Sequence, residues 1–348
     1  MLNLFAVESP LQALCAVEVA LGQPNRKNHL IVHLSSNPQR FRNNDQILNI
    51  IRLYNWGEIH IHKINNYKTS MLKHYFTIKF LKEIEKKYRG KVYTLYIGEF
   101  LYKFMHLIRC AVNPPETILL DDGAATIKVI EQYIKHKCYY PKKRISEPQS
   151  PLKKYLSNII YKPYRSESIL SKKIKILTAF YESDITYDIK KLEFKNIQSM
   201  KVLNSTKQES QVYYFGGPYS EASIISLDYE VSFLTKICKY YADRNKRLIY
   251  FAHRDDSDKK LNNISKCLNV EIRKPENIAE FYLITSTTLP GEISGAITSI
   301  LNNVKVLFPQ MPVRSFILDK EKVSPKAEDE VFGVYNQYKE IGIQLQAV

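Results

Sequence analysis

Cysteine and long apolar runs are both scarce in this chain of 348 residues. The cysteines stand at scattered positions without a Cys-x-x-Cys spacing: Cys15, Cys110, Cys138, Cys238 and Cys267. Their odd number argues against a disulfide framework and a zinc site, and favours a reducing compartment. No apolar run approaches the roughly 20 residues of a transmembrane helix, and no basic signal-peptide region opens the chain. We therefore predict a cytoplasmic protein with at most peripheral contact at the inner face of the membrane.

Acidic residues are few relative to basic ones. The chain has 35 Asp and Glu against 51 Lys and Arg, which gives a formal net charge of +16. Such a charge favours anionic partners, namely nucleic acid, a phosphate-bearing substrate or an acidic membrane surface. The chain is also longer than the roughly 250–300 residues at which single cores stop growing, so two domains are expected.

Strand-like and helix-like segments alternate along the first half of the chain. Apolar runs at residues 2–7, 29–34, 58–62 and 92–97 are separated by helical spacings, including one at residues 70–88. This alternation predicts a doubly wound α/β domain with a parallel sheet. A lone His in such a strand, as His33 is, could be a ligand, but it is more often structural.

The stretch Thr117–Thr126 joins an apolar run to two acids and a glycine. Ile118-Leu-Leu120 predicts a buried strand that ends at Asp121-Asp122-Gly123, and a helical spacing follows. In open α/β sheets ligands bind outside the carboxyl ends of the strands, so this position suits catalysis. The alternative is an ordinary turn in which one Asp caps the helix.

Residues 135–175 are strongly basic. Twelve Lys or Arg stand there against Glu147 and Glu167, with four prolines between them. A solvated loop is one interpretation, and a surface for anionic lipid or a phosphorylated glycan is the other. Single-stranded nucleic acid also suits interleaved basic and aromatic residues, but no RNA-binding signature accompanies them. We place an inter-domain linker at residues 181–210.

In the second half of the chain, polar or small residues again follow directly after predicted strands. One strand ends at Gly216-Gly217, which serve either a ligand or only a turn, and another delivers His253. A short helix from Pro275 would hold Glu276 and Glu280, on a solvated face or in a site. Thr298-Ser299 follow, either as a plain helix cap or as ligand contacts, and Val304–Phe308 predicts a late strand.

Four of these segments, taken in order, resemble the bacterial sialyltransferases of glycosyltransferase family 52 and their polysialyltransferase relatives. The segments are Ser9-Pro-Leu-Gln12, Leu120-Asp-Asp-Gly123, Leu248-Ile-Tyr-Phe-Ala-His253, and Glu280-Phe-Tyr-Leu with Leu289-Pro-Gly-Glu-Ile-Ser-Gly-Ala-Ile-Thr-Ser-Ile300. Together they span most of the chain. One departure stands out: Arg254 follows His253 where the family usually has Pro.

The resemblance implies a GT-B fold, with two Rossmann-like domains facing across a cleft. The N-terminal domain would cover residues 1–195 and bind the acceptor. The C-terminal domain would cover 196–325 and bind the donor, and a helix at 326–348 could cross back to the first domain. The reaction implied is inverting transfer of sialic acid from CMP-sialic acid to a hydroxyl of a surface glycan, without metal or other cofactor. No nucleic-acid partner is expected, and a homodimer is left open.

The residue types suit that chemistry. Asp121 would be the general base for the acceptor hydroxyl, and Asp122 would orient it or raise its pKa. His253 would assist the departing phosphate, and Arg254 offers a second phosphate contact. The other predicted donor contacts are Thr298, Ser299, Glu280, Glu276, Gly216 and Gly217, and the predicted residues on the acceptor side are Ser9, Gln12 and Gly123.

Two alternatives stay open from the sequence. One is a GT-B glycosyltransferase that uses another nucleotide sugar. The other is a non-catalytic, basic protein that binds nucleic acid or a membrane, for which the net charge is the main support.

Overall fold

The computed structural model describes residues 1–63, 70–141, 159–179, 188–200, 206–268 and 270–348. These residues divide into two units, Met1–Ile197 and Gln198–Val348. The division lies two residues beyond the predicted boundary. Residues 142–158 of the predicted basic segment, including Lys142, Lys143 and Arg144, lie outside the described residues.

In the first unit, the described strands form one sheet in the order β3-β2-β1-β4-β5-β6-β7, and every neighbouring pair is parallel. The strands are β1 (Leu2–Val7), β2 (Lys27–Leu34), β3 (Glu58–Lys63), β4 (Val92–Ile97), β5 (Glu116–Leu119), β6 (Lys175–Thr178) and β7 (Ile189–Lys191). The central strands are buried on both faces, which is why β1 is almost continuously apolar. The predicted parallel sheet is confirmed.

Helices lie between the successive strands of the first sheet up to β6, and a last helix at residues 195–200 crosses the division between the two units. They are α1 (Pro10–Leu21), α2 (Phe41–Ile51), α3 (Ser70–Tyr88), α4 (Lys103–Val112), α5 (Ala124–Val129), α6 (Glu167–Leu170) and α7 (Lys195–Met200). Helix α1 begins where the sequence predicted, because the Ser9 side chain accepts a hydrogen bond from the Gln12 amide and Pro10 occupies the first turn. Throughout the described ranges, each helix is too short or too polar to span a bilayer.

The second unit contains another parallel sheet, in the order β10-β9-β8-β11-β12-β13. Its strands are β8 (Thr206–Phe215), β9 (Arg247–Phe251), β10 (Glu271–Arg273), β11 (Thr288–Gly295), β12 (Val313–Phe316) and β13 (Gln344–Gln346). Its helices are α8 (Leu227–Ala242), α9 (Asp258–Cys267), α10 (Ala279–Thr285), α11 (Ser299–Leu307) and α12 (Glu328–Glu340). The C-terminal helix α12 contributes Val331, Tyr335 and Tyr338 to the core of this same unit.

Two predictions of local structure were wrong. Val304–Phe308 was predicted as a strand, but the chain is helical through Ser299–Leu307. Ile300, Val304 and Leu307 recur at helical spacing and are all buried, so the helix period outweighs the β-branched residues. The predicted linker also contains structure, namely β7, α7 and the start of β8.

The Glu18 carboxylate holds the beginning of α7 in place. It accepts hydrogen bonds from the Asn196 amide at 3.0 Å and from the Ile197 amide at 2.8 Å. A buried acid on α1 thus anchors the beginning of α7, a long-range contact that local sequence patterns do not reveal.

Candidate functional site

The acidic turn after β5 forms around a glycine with a positive φ. Gly123 has a φ of +69°, a conformation that side-chain-bearing residues rarely adopt. It stands directly before α5 and lets the chain reverse from strand to helix. The two aspartates on this turn have different surroundings.

Asp121 is buried, with 1% of its surface exposed. One carboxylate oxygen accepts from the Gly123 amide at 2.9 Å and from the Thr126 hydroxyl at 3.0 Å. The other accepts from the Thr178 hydroxyl at 3.0 Å and from the Ala179 amide at 2.6 Å. Burial raises the pKa of Asp121 to about 6, although the four donors act in the opposite direction. This carboxylate joins the ends of β5 and β6 and has little room for another ligand.

Asp122 is only half-buried. Its Oδ1 accepts a hydrogen bond of 3.1 Å from the hydroxyl of Ser9, which lies 113 residues earlier in the chain. Its backbone amide donates to the Thr126 hydroxyl at 2.8 Å. The turn therefore presents Asp122, rather than Asp121, to approaching molecules.

The structure brings the predicted residues Ser9, Asp122 and Gly123 together at the carboxyl edge of the first sheet. The strand order reverses between β1 and β4, and Ser9 follows β1 directly. Ligands of open α/β sheets bind at such a switch point. Gln12 is different, because it is buried and its side-chain oxygen accepts from the Glu8 amide at 2.9 Å. Gln12 therefore stabilises the turn between β1 and α1 and is not exposed to a ligand.

The order of the second sheet reverses between β8 and β11. Gly216 and Gly217 follow β8, and Ile297 and Thr298 follow β11. Tyr219 connects these two loops, because its hydroxyl accepts from the Ile297 amide at 2.9 Å and donates to the Ile297 carbonyl at 3.1 Å. Sequence reasoning missed Tyr219, since a single tyrosine after a glycine pair carries no distinctive pattern.

Packing accounts for both glycines of this loop. A Cβ at Gly216 would lie 2.2 Å from the Tyr250 hydroxyl, and one at Gly217 would lie 2.6 Å from the Tyr219 ring. Of the two alternatives from the sequence, the described contacts support the tight turn. Direct contact of these glycines with a ligand stays a prediction.

His253 lies beyond β9, at the same edge of the sheet. Its side chain is 33% exposed. Its Nδ1 accepts from the Asp255 amide at 3.2 Å, which places the proton of the neutral ring on Nε2. Burial lowers the pKa of His253, although Asp255 and Asp256 act to raise it. At neutral pH, His253 is therefore suited to donate one hydrogen bond from Nε2.

A buried cluster of charged side chains joins the loop after β9, which contains His253, to the loop after β8, which contains Gly216 and Gly217. Lys260 is fully buried and pairs with Glu230 and with Asp256, the latter at 2.9 Å, and it donates to the Gly217 carbonyl at 2.6 Å. Burial alone would lower the pKa of Lys260, but the two carboxylates raise it. The four-residue interval between Asp256 and Lys260 is the sequence signal that could have indicated this pair.

Asp256 belongs to an Asp-x-Asp sequence, Asp256-Ser-Asp258. Its carboxylate is occupied by Lys260, the Tyr250 hydroxyl at 2.9 Å and the His253 amide at 2.9 Å. Over the described part of the chain, no group of three or more His, Cys, Asp or Glu residues is arranged to hold a metal ion.

Thr298 and Ser299 begin helix α11. The Thr298 amide donates to the Tyr338 hydroxyl at 2.9 Å, which in turn donates to the Thr298 carbonyl at 2.7 Å. The Thr298 side chain makes no capping hydrogen bond, and Ser299 is exposed. The start of a helix offers backbone amides and a partial positive charge to an anion.

The two predicted glutamates lie in different surroundings. Glu280, in the first turn of α10, is buried and accepts from Asn303 of α11 at 2.5 Å. Burial raises the pKa of Glu280. Glu276 is exposed in the loop before α10. Arg254 is mostly exposed, with its Nε 3.5 Å from the Asp255 carboxylate.

Neither a protein-family model nor a curated protein matches this chain, but several solved structures do. The UDP-GlcNAc 2-epimerase of Methanocaldococcus jannaschii has a TM-score of 0.53 at 13% identity, covering 100% of this chain and 89% of that one. A sialyltransferase from Photobacterium damsela has a TM-score of 0.51 at 11% identity, with coverages of 99% and 81%. The S. aureus protein MnaA, solved with UDP, has a TM-score of 0.50 at 12% identity, with coverages of 97% and 86%.

At these identities the likeness establishes the fold. The two parallel sheets with their helices are Rossmann-like, and the chain has the GT-B fold of these neighbours. The predicted fold class is confirmed.

Proposed function

We propose that this chain is an inverting glycosyltransferase that moves sialic acid from CMP-sialic acid to a hydroxyl of a bacterial surface glycan. The acceptor hydroxyl would belong to galactose or sialic acid of a lipooligosaccharide or capsule, and the reaction would need no metal. Neighbours of the same fold that act on or bind nucleotides or sugars support the broader class of activity.

One observation carries the proposal. Ser9 and Asp122 belong to two of the four segments that resemble the sialyltransferases, and they are joined by a hydrogen bond across 113 residues of sequence. The fold places the ends of β1 and β5 at one edge of the sheet, and this hydrogen bond brings side chains of the two segments into direct contact. The Ser9 hydroxyl donates to one carboxylate oxygen of Asp122 and leaves the other oxygen available to an acceptor.

The proposed chemistry assigns the general base to Asp122. The acceptor oxygen attacks the anomeric carbon of sialic acid, its proton passes to Asp122, and the bond from that carbon to the phosphate oxygen breaks. From the sequence, Asp121 was the predicted base. Its burial and its four donors instead favour a positioning role, because an acceptor hydroxyl would have to displace one of those donors.

On the donor side, His253 would give the hydrogen of Nε2 to the departing phosphate. The exposed start of α11, at Thr298 and Ser299, would add donors as the phosphate gains charge. Arg254 is the competing phosphate ligand. The ribose would be bound by Glu276, or by the Glu280 oxygen that does not accept from Asn303.

The two aspartates give the decisive test. Asp122→Asn should lower the rate of transfer from CMP-sialic acid by about 10²–10⁴-fold, because the base is lost. CMP affinity should stay nearly unchanged, since the base acts on the acceptor. Asp121→Asn should mainly lower the melting temperature. If folded Asp121→Asn is inactive while Asp122→Asn turns over normally, the base is Asp121.

Transfer activity should also survive excess EDTA, because the proposed reaction needs no metal ion. A loss of activity that Mg²⁺ or Mn²⁺ restores would contradict the proposal.

The epimerase likeness favours a second candidate, an enzyme that uses a UDP-sugar. A thermal-shift comparison of CMP, UDP and a short RNA separates the possibilities. Stabilisation by CMP supports sialyl transfer, and stabilisation by UDP supports the second candidate. Stabilisation by RNA alone would indicate a basic nucleic-acid-binding protein.

A further inference from the structure

The first two turns of α3 and the neighbouring edge strand expose large apolar side chains. Met71 is 75% exposed and Tyr75 is 62% exposed, and Ile61 on β3 is 52% exposed. A shallow groove of about 210 Å³ runs between β3 and the middle of α3, and Ile61 and Lys79 are among the residues that line it. Tyr75 contacts the groove residue Phe76, with ring centroids 5.3 Å apart, and Met71 lies one helical turn before Tyr75.

The fold of the first unit does not need this surface. The opposite face of α3 packs into the core through Leu81, Ile84 and Tyr88, all of which are buried. The buried face holds α3 in place, and Met71 and Tyr75 lie on the exposed face. Exposed apolar groups that lie side by side, as these do, mark interaction surfaces more often than single exposed residues do.

Basic residues continue the same exposed face toward the end of α3. Lys79, Lys82 and Lys86 are exposed, and no ion pair involves them within the described ranges. Glu83 is the acid that lies among them. Lys87, by contrast, is paired with Glu58. The surface is therefore apolar at the start of the helix and positively charged farther along.

We infer that this α3 surface, comprising Ile61, Met71, Tyr75, Lys79, Lys82 and Lys86, docks the protein on a bilayer that contains anionic lipids. Met71 and Tyr75 would enter the interface between headgroups and acyl chains, where tyrosine is favoured. The lysines would stay at the level of the anionic headgroups. Protein–protein interfaces are depleted in lysine, so three exposed lysines beside the apolar residues favour lipid over a protein partner. This inference does not depend on the proposed activity.

Vesicle co-sedimentation of the full chain tests the surface. Wild-type protein should bind vesicles of equimolar phosphatidylcholine and phosphatidylglycerol more tightly than vesicles of phosphatidylcholine alone. Lys79→Gln, Lys82→Gln and Lys86→Gln combined should weaken binding by about fivefold per lysine, and high salt should remove this difference. The matched control changes three exposed lysines of the second unit, Lys259, Lys266 and Lys326, and should bind more tightly than the α3 variant.

The apolar part has its own readout. Tyr75→Trp should show a blue-shifted emission on the anionic vesicles, and the chain's single tryptophan, Trp56, is buried and gives a constant background. Tyr75→Ser should lower binding several-fold. Tyr93→Ser, at another exposed tyrosine of this unit, is the control and should leave binding unchanged.

Two outcomes would overturn the inference. If the α3 variants bind as wild type does while Lys142→Gln, Lys143→Gln and Arg144→Gln abolish binding, the membrane contact belongs to the 135–175 segment. If no vesicle binding occurs and Tyr75→Ser converts a dimer to a monomer in sedimentation velocity, the surface joins two copies of the chain. Thermal melts of each variant verify that binding is compared between folded proteins.

Discussion

The hydroxyl of Tyr219 forms hydrogen bonds with both backbone groups of Ile297, accepting from its amide at 2.9 Å and donating to its carbonyl at 3.1 Å. This pair fixes the distance between the loops that follow β8 and β11. Because a ligand of a doubly wound sheet binds where the strand order reverses, we expect Tyr219 to set the width of the proposed nucleotide site.

Tyr219→Phe should therefore weaken nucleotide binding as well as stability. The ring still fits, but the half-buried amide and carbonyl of Ile297 lose their partner. Two hydrogen bonds of about 0.5–1.5 kcal/mol each should cost about 1–3 kcal/mol in the free energy of unfolding. Urea denaturation and calorimetric titration with CMP measure the two effects. Tyr240→Phe, a more exposed tyrosine on α8, is the control. Unchanged CMP affinity in a destabilised Tyr219→Phe would limit the residue to a structural role.

The buried lysine of the second unit gives the next prediction. Lys260→Met removes the positive charge shared by Glu230 and Asp256 and should destabilise the fold by about 3–5 kcal/mol. The loss should shrink as the pH falls, because burial raises the pKa of Glu230 and protonation then neutralises that carboxylate. Lys259→Met, at the exposed neighbouring position, should be nearly silent. Equal denaturation midpoints for the two variants would contradict the role assigned to the cluster.

The alternation of strands and helices predicted the fold well, because parallel strands buried on both faces have a strong apolar signal in the sequence. The ends of β1, β5 and β9 were likewise predicted, and with them Ser9, Asp122 and His253. The different surroundings of Asp121 and Asp122 were not predictable, since they depend on Thr178 and Ala179, which lie 57 and 58 residues later. The role of Lys260 was not predictable for the same reason, because its partners come from three separate segments of the chain.

A pair of histidines in the first unit makes stability depend on pH. The Nδ1 atoms of His33 and His62 are 2.8 Å apart, so one ring donates a hydrogen bond to the other. Burial lowers the pKa of His33 to about 4 and that of His62 to about 3. The unfolded chain binds protons on these rings below pH ~6.5 while the folded chain does not, so stability falls as the pH drops from there toward 4 and below.

His62→Phe should reduce that dependence. Phe80 and Phe104 already contact the His62 ring, so a phenyl group fits the site. Between pH 7.5 and pH 5, wild type should lose about 2 kcal/mol more of unfolding free energy than the variant. Urea denaturation at both pH values measures the difference, and His136→Gln, at an exposed position, is the control. If the unfolding free energies of wild type and His62→Phe change equally with pH, the histidine pair is not the source of the pH dependence.

The last prediction separates His253 from Arg254, the residue that replaces the proline usual in the resembling family. The Nδ1 of His253 is occupied by the Asp255 amide, so only Nε2 is available to a departing phosphate. A hydrogen bond that strengthens as the phosphate gains charge acts mainly in the transition state. His253→Ala should therefore lower kcat for transfer from CMP-sialic acid more than it raises KM for the donor.

Arg254→Ala should show the opposite pattern. A mostly exposed guanidinium that attracts the phosphate equally in the ground state and the transition state would raise KM and leave kcat nearly unchanged. Steady-state kinetics on both variants, with thermal melts to verify folding, measure the split. If His253→Ala is nearly silent while Arg254→Ala is inactive, Arg254 holds the leaving group. If both variants are silent, the carboxyl end of β9 does not bind the donor phosphate, and the proposed donor site in the second unit is wrong.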